Sequence, residues 1–181
     1  FRLSAQASLV NEIRASYDSG NDVDLSDVES NVCCGLLKLF LREMPEPLFP
    51  FNLYKAFVGF EEENFKRDKE YLKILLQNLA GPRKPLFFQL FRLLHEISKE
   101  SEHNLMDASN LAVVLGPTVL RCESSDLKTQ LADATSVNEA TACFISHFDE
   151  LEEPCTESFL AVAEATSSYT DDASGLTWKS G

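Results

Sequence analysis

Over residues 85–99, Leu86, Phe87, Leu90, Phe91, Leu94 and Ile97 recur at the three- and four-residue steps of a helix. With Leu93 added, the apolar arc is too wide for a single neighbour to cover. Such a helix belongs at the centre of a core, packed on both flanks. That requirement points to a helical fold, because nothing elsewhere supplies a sheet. Apolar residues keep the helical period along the chain, and strict alternation never persists beyond a few positions. Seven Gly and seven Pro in 181 residues also provide few of the tight turns that a many-stranded fold needs. The chain reads as all-α, one helical-bundle domain, and its length leaves no room for a second large one.

The same periodicity locates the other helices. Leu9, Val10, Ile13 and Tyr17 form a stripe over residues 4–17, stopped by Asp18-Ser19-Gly20-Asn21. Ser26-Asp27-Val28-Glu29 has the form of a capping box and predicts the start of a second helix, with Val32, Cys33, Leu36, Leu37, Phe40 and Leu41 as its core side. Pro45, Pro47 and Pro50 stop that helix near Glu43. Helices are also predicted over 53–60 and 68–79. Asp107 is placed to cap a helix through Asn110 and Val114, which Gly116-Pro117 ends. A second capping box, Ser136-Val137-Asn138-Glu139, opens a helix through Phe144, Phe148 and Leu151 that closes the domain. The expected domain is residues 1–151. Residues 152–181 are rich in acids, Ser and Thr, and read as an acidic tail, disordered apart from a short helix over 157–165.

Composition excludes several function classes. Twenty-nine acidic residues against 16 basic ones give a formal charge of −13, which opposes nucleic-acid phosphates. The longest charge-free run near the middle, residues 111–120, is about half the ~20 residues of a membrane helix, so no membrane insertion is expected. Five Cys, two of them adjacent and none in a CxxC pair, fit neither a disulfide framework nor a zinc site. A reducing cytoplasm is the simple reading.

Chemistry-bearing motifs are sparse. His95, His103 and His147 are scattered without HExxH spacing, and no metal or cofactor is expected. Neither GxxxxGK[ST] nor GxGxxG occurs, and no nucleophile motif surrounds any Ser or Cys, so a self-contained active site is poorly supported. Lys38 and Arg42 stand one turn apart on the polar side of the second helix, with Gly35 beside them. Two cations at i and i+4 repel by a few tenths of a kcal/mol. Either they form a solvated face balanced by Glu43 and Glu46, or they meet an anionic partner. Asn110 interrupts an apolar stretch, and a buried carboxamide there must bond the backbone near Gly116-Pro117 or face a partner. Arg2, taken alone, reads as part of a frayed terminus.

Three blocks change the weight of these residues. Phe1-Arg2-Leu3-Ser4 resembles the finger loop G-[IV]-F-R-x-S-G of the RhoGAP family, the helical GTPase-activating domains for Rho-type small GTPases. Leu36-Leu37-Lys38-Leu39-Phe40-Leu41-Arg42-Glu43-Met44-Pro45-Glu46-Pro47-Leu48 resembles its L-L-K-x-[FY]-L-R-E-L-P-E-P-L helix end. Asn104-Leu105-Met106, followed by Asn110-Leu111-Ala112-Val113-Val114-Leu115-Gly116-Pro117, resembles N-x-M…N-L-A-x-V-F-G-P. The resemblance runs over roughly residues 1–151. It implies a helical domain of the RhoGAP type in which Arg2 is the arginine finger, Lys38 and Arg42 are the basic pair that contacts the GTPase, and Asn110 lies near the switch regions. The implied partner is a Rho-family GTPase in its GTP–Mg²⁺ form, which brings nucleotide, metal and attacking water. The implied function is a GTPase activator supplying an arginine in trans; the alternative is a silent RhoGAP-like module that only binds.

The chain departs from the pattern in three places. Ala5 stands where the family has Gly, which predicts a stiffer finger loop because Ala resists positive φ. Leu115 replaces a common Phe. The family's helix and Gly-Ile before the Phe have no counterpart ahead of Phe1, so an N-terminally truncated domain is expected, less stable and less active than an extended form. Gly35 is expected to admit the partner closely or to be a tolerated helix defect.

Overall fold

The computed structural model describes residues 1–123 and 127–152. The described residues form helices and no strand: α1 (Ala7–Asp18), α2 (Ser30–Glu43), α3 (Tyr54–Val58), α4 (Phe65–Gln77), α5 (Arg83–Lys99), α6 (Ser101–Asn104), α7 (Ala108–Val119), α8 (Leu127–Ser146) and α9 (Phe148–Leu151). No helix among them is long and apolar enough to cross a membrane.

The central helix is α5, as its wide apolar arc requires. Phe87, Phe88, Leu90, Phe91, Leu94 and His95 are buried, and only Leu93 of the predicted arc is largely exposed. The helix starts cleanly because Gly81 takes φ 58° and Pro82 and Pro85 occupy its cap and first turn, where no intrahelical acceptor awaits an N–H. Around it gather Phe49, Phe57 and Phe144, each fully buried. Ring centroids lie 4.4 Å apart for Phe49–Phe57, 4.5 Å for Phe87–Phe91 and 5.5 Å for Phe49–Phe144. Fully burying one such ring contributes about 1.5–3 kcal/mol, so the cluster is a substantial part of the apolar stabilisation.

Phe49 reaches the centre from an irregular segment. The three prolines end α2 as predicted, and the freed backbone is tied down by Phe49 N–H donating to the Val119 carbonyl at 3.0 Å. A second, smaller core forms where α1 lies on α2, with Val10, Ile13 and Val32 buried among Leu9, Val28, Leu36 and Leu39.

Several local expectations are overturned. The first capping box fails because Ser26 bonds Asp24, through both its N–H and its hydroxyl, and α2 begins only at Ser30. The second fails because Ser136 lies inside α8. Gly116-Pro117 does not end α7, which continues to Val119. Proline two residues from a helix end forfeits one hydrogen bond, and Gly116 serves a different purpose. A Cβ there would lie 2.9 Å from Asn138 Oδ1 and 3.2 Å from Thr141 Oγ1, so the missing side chain lets α7 and α8 touch. Phe40, expected in the core, is 55% exposed, and Cys33 is half-buried. Leu115 packs fully buried in the main core. The predicted tail, with its short helix, lies outside the described residues beyond residue 152.

Candidate functional site

Residues 1–6 form no regular element before α1, yet they are anchored at two points. Phe1 packs on the main core, while Ala5 packs on the smaller core between α1 and α2. Arg2, Leu3 and Ser4 between those anchors are exposed. The close approach of Ala5 depends on Gly35, whose absent side chain would otherwise meet it. Gly35 therefore serves contact within the chain, and Ala5 keeps a negative φ, so its replacement of a glycine introduces no strain.

Asn110 stands in the first turn of α7, which is well begun. Asp107 accepts from Asn110 N–H at 2.7 Å, the side-chain cap expected from the sequence. The Asn110 carboxamide is exposed rather than buried, and its Nδ2 donates to the Leu105 carbonyl at 3.3 Å, not to the backbone near Gly116. Arg2 and Asn110 line one open groove of about 500 Å³, whose apolar wall is Phe1, Leu105, Val113 and Val114. Lys38 and Arg42 line an adjoining groove with Ala5, Gly35 and Thr118, and Val114 borders both.

The end of α2 that carries Lys38 and Arg42 is fixed from three sides. Arg121 donates through Nη1 to the Arg42 carbonyl and through Nη2 to the Met44 carbonyl, each at 2.8 Å, satisfying acceptors that the helix terminus leaves open. Arg14 of α1 pairs with Glu43 at 2.9 Å, and Arg83 of α5 pairs with Glu46. These pairs remove the carboxylates expected to balance Lys38 and Arg42. Among the described residues, the charged heads of Arg2, Lys38 and Arg42 make no ion pair or hydrogen bond, although acids outnumber bases in the chain. Sequence reasoning missed Arg121 and Leu105: no local pattern marks the first, and only Asn104, a turn-forming residue, hints at the second.

A different side-chain cluster lies around the end of α8. Glu62, Cys143 and His147 bring their ligand atoms within 4.8 Å of one another, and Cys143 and His147 stand one helical turn apart, a spacing the sequence reading passed over. The imidazole is stacked on Phe65 at 3.8 Å, with Nε2 2.7 Å from Glu62 and Nδ1 3.2 Å from Glu150. Burial, with the Glu62 charge second, pushes the Cys143 thiol up to about 12, so it is a neutral core group.

The described residues form an all-α domain that sets Arg2, Lys38 and Arg42 along two adjoining open grooves. The family description RhoGAP domain matches residues 1–124, and the chain belongs to that family. It is 39% identical over 154 residues to Rho GTPase-activating protein gacY of Dictyostelium discoideum, covering 83% of this chain and 21% of that protein. It is 32% identical over 176 residues to Rho GTPase-activating protein 24 of Rattus norvegicus, covering 95% and 24%. The crystal structure of human Rho GTPase activating protein 15 aligns with a TM-score of 0.75 and 27% identity, over 84% of this chain and 74% of that one. The chain thus spans about a fifth to a quarter of the length of these curated relatives.

Proposed function

We propose that residues 1–151 are a GTPase-activating domain for GTP-loaded Rho- or Rac-type small GTPases, with the acidic, Ser- and Thr-rich residues 152–181 a tail. The observation that carries this reading is an exposed, unpaired Arg2 that shares a groove with Asn110 in a chain of net charge −13. An acidic protein that leaves three cations uncompensated at adjoining grooves has a local surface for an anionic partner.

The mechanism follows from phosphoryl-transfer electrostatics. As the bond to the γ-phosphoryl group loosens, negative charge spreads over its oxygens. Arg2, supplied in trans, donates planar, permanently charged N–H groups to that charge, and its anchors at Phe1 and Ala5 limit the entropy lost on docking. Fingers of this kind accelerate hydrolysis by about 10³- to 10⁵-fold, or about 4 to 7 kcal/mol. Lys38 and Arg42 contact the GTPase surface, and Asn110 lies near its mobile switch segments. Nucleotide, Mg²⁺ and water come with the partner, so the domain regulates an enzyme and holds no complete active site.

The test is single-turnover GTP hydrolysis by a panel of Rho-type GTPases, with the unchanged domain and with Arg2→Ala. Strong stimulation that the substitution abolishes, with binding kept, is the expected result. Binding without stimulation by the unchanged domain would instead identify a silent module. Retained affinity after charge reversal at both Lys38 and Arg42 would remove those two residues from the interface.

A further inference from the structure

Leu105 follows α6 with φ 58° and ψ 29°, the sole non-glycine with positive φ among the described residues. A leucine is strained in this left-handed conformation, because its Cβ crowds the following carbonyl; a glycine would not be. Asn104 holds it there. The Asn104 Nδ2 donates to the Ile97 carbonyl at 2.7 Å while its Oδ1 accepts from Met106 N–H at 2.7 Å, so one carboxamide ties the end of α5 to the turn ahead of α7. The Leu105 carbonyl is in turn the acceptor for Asn110. Its side chain gains little from the fold, being 56% exposed.

An exposed leucine held where glycine would sit without strain is explained neither by burial nor by backbone preference. It does line the groove that holds Arg2 and Asn110, and Val113, also exposed on α7, extends the same apolar edge. We infer that Leu105 is an apolar contact residue for the GTPase partner, presented by the Asn104 clamp beside the cationic surface; this rests on the GTPase reading above. The division of labour is physical. Unpaired charges such as those of half-buried Lys38 and exposed Arg42 act over nanometre distances and set the rate of encounter, whereas an apolar contact acts only after docking and sets the rate of escape.

The test compares the unchanged domain with Leu105→Asn and Leu105→Gly, both of which accept left-handed backbone. Melting temperature is measured, together with association and dissociation rates for a Rho-family GTPase loaded with a non-hydrolysable GTP analogue. Both variants are expected to melt at or above the temperature of the unchanged domain. Dissociation should accelerate by about tenfold and association should stay within about twofold. Unchanged dissociation in both variants overturns the inference while leaving the GTPase reading intact. A large drop in melting temperature in both assigns Leu105 to the fold and overturns it as well. Failure of the unchanged domain to bind any member of the panel overturns the GTPase reading, and this inference with it.

Discussion

Gly35 on α2 lies directly beneath Ala5: a Cβ built on Gly35 would stand 2.6 Å from the Ala5 Cβ and 3.1 Å from Val10 Cγ2. Two opposing effects meet at this position. Replacing a helical glycine by alanine gains about 1 kcal/mol of propensity, but forcing a methyl into a filled contact typically costs about 1–3 kcal/mol. Contact at 2.6 Å has no side-chain freedom to absorb it, so the segment carrying Arg2 must lift. Gly35→Ala is expected to lower unfolding free energy by about 1 kcal/mol net and to weaken GTPase stimulation. Adding Ala5→Gly should restore part of both. Denaturant unfolding and hydrolysis assays on the two single variants and the double variant measure the coupling, and strict additivity would show that the two residues do not press on each other.

Arg121 is predicted to be hard to replace. Its guanidinium spans two carbonyls at the end of α2, and the compact ammonium of lysine does not reproduce that fork. Arg121→Lys should destabilise the domain by about 1–3 kcal/mol in denaturant titration, nearly as much as Arg121→Ala. A lysine variant as stable as the parent would show that one bond suffices.

Cys143 is expected to resist alkylation. At 1% exposure, with its thiol pushed up to about 12 from 9.0 by burial, it offers neither access nor thiolate near pH 8. Iodoacetamide followed by peptide mass spectrometry should label it only on unfolding. The linkage sign is unfavourable at high pH. Between about pH 9 and 12 the unfolded chain releases a proton that the folded chain retains, so stability falls as pH rises through that window.

Acid should weaken the junction around α9 in the opposite sense. Lys69, then His147, hold the Glu150 carboxyl below its usual 4.5, and His95, then Lys99, do the same for Asp149 below 3.8. Groups with lowered folded values stabilise above the unfolded pKa and lose that contribution as pH falls through the folded one. Glu150→Gln is therefore expected to lower the melting temperature slightly near neutrality and to flatten its decline below about pH 4.5. An identical pH profile in the variant would leave these contacts without thermodynamic weight.

What the sequence made legible follows from where its signals are local. The centre of α5, the proline stop of α2 and the Asp107 cap are each written within a few residues, and the described helices contain all three. The first capping box misled because its serine has a competing use, Ser26 bonding Asp24, and the second because the helix it was read to open already runs through Ser136. The first half of α8 was missed because it is weakly amphipathic, with Leu131 68% exposed. At the site, Lys38, Arg42 and Asn110 were visible as polar interruptions of apolar helices, but their roles, and any role for Arg2, came only with the family resemblance. What remained hidden was their setting: that Glu43 and Glu46 are committed to Arg14 and Arg83, and that the acceptor for Asn110 is a left-handed leucine. The first joins segments 29 and 37 residues apart in the chain, and the second, though local, turns on a left-handed backbone that a leucine does not signal, so no residue spacing encodes either.

The two anchors of residues 1–6 carry one more consequence. Because Phe1 and Ala5 hold the segment while the exposed Arg2 side chain makes no hydrogen bond or ion pair among the described residues, the fold draws little on what occupies position 2. A lineage could exchange that arginine in one mutational step and keep a domain that folds and persists. Retention of the residue over generations would then reflect function rather than folding.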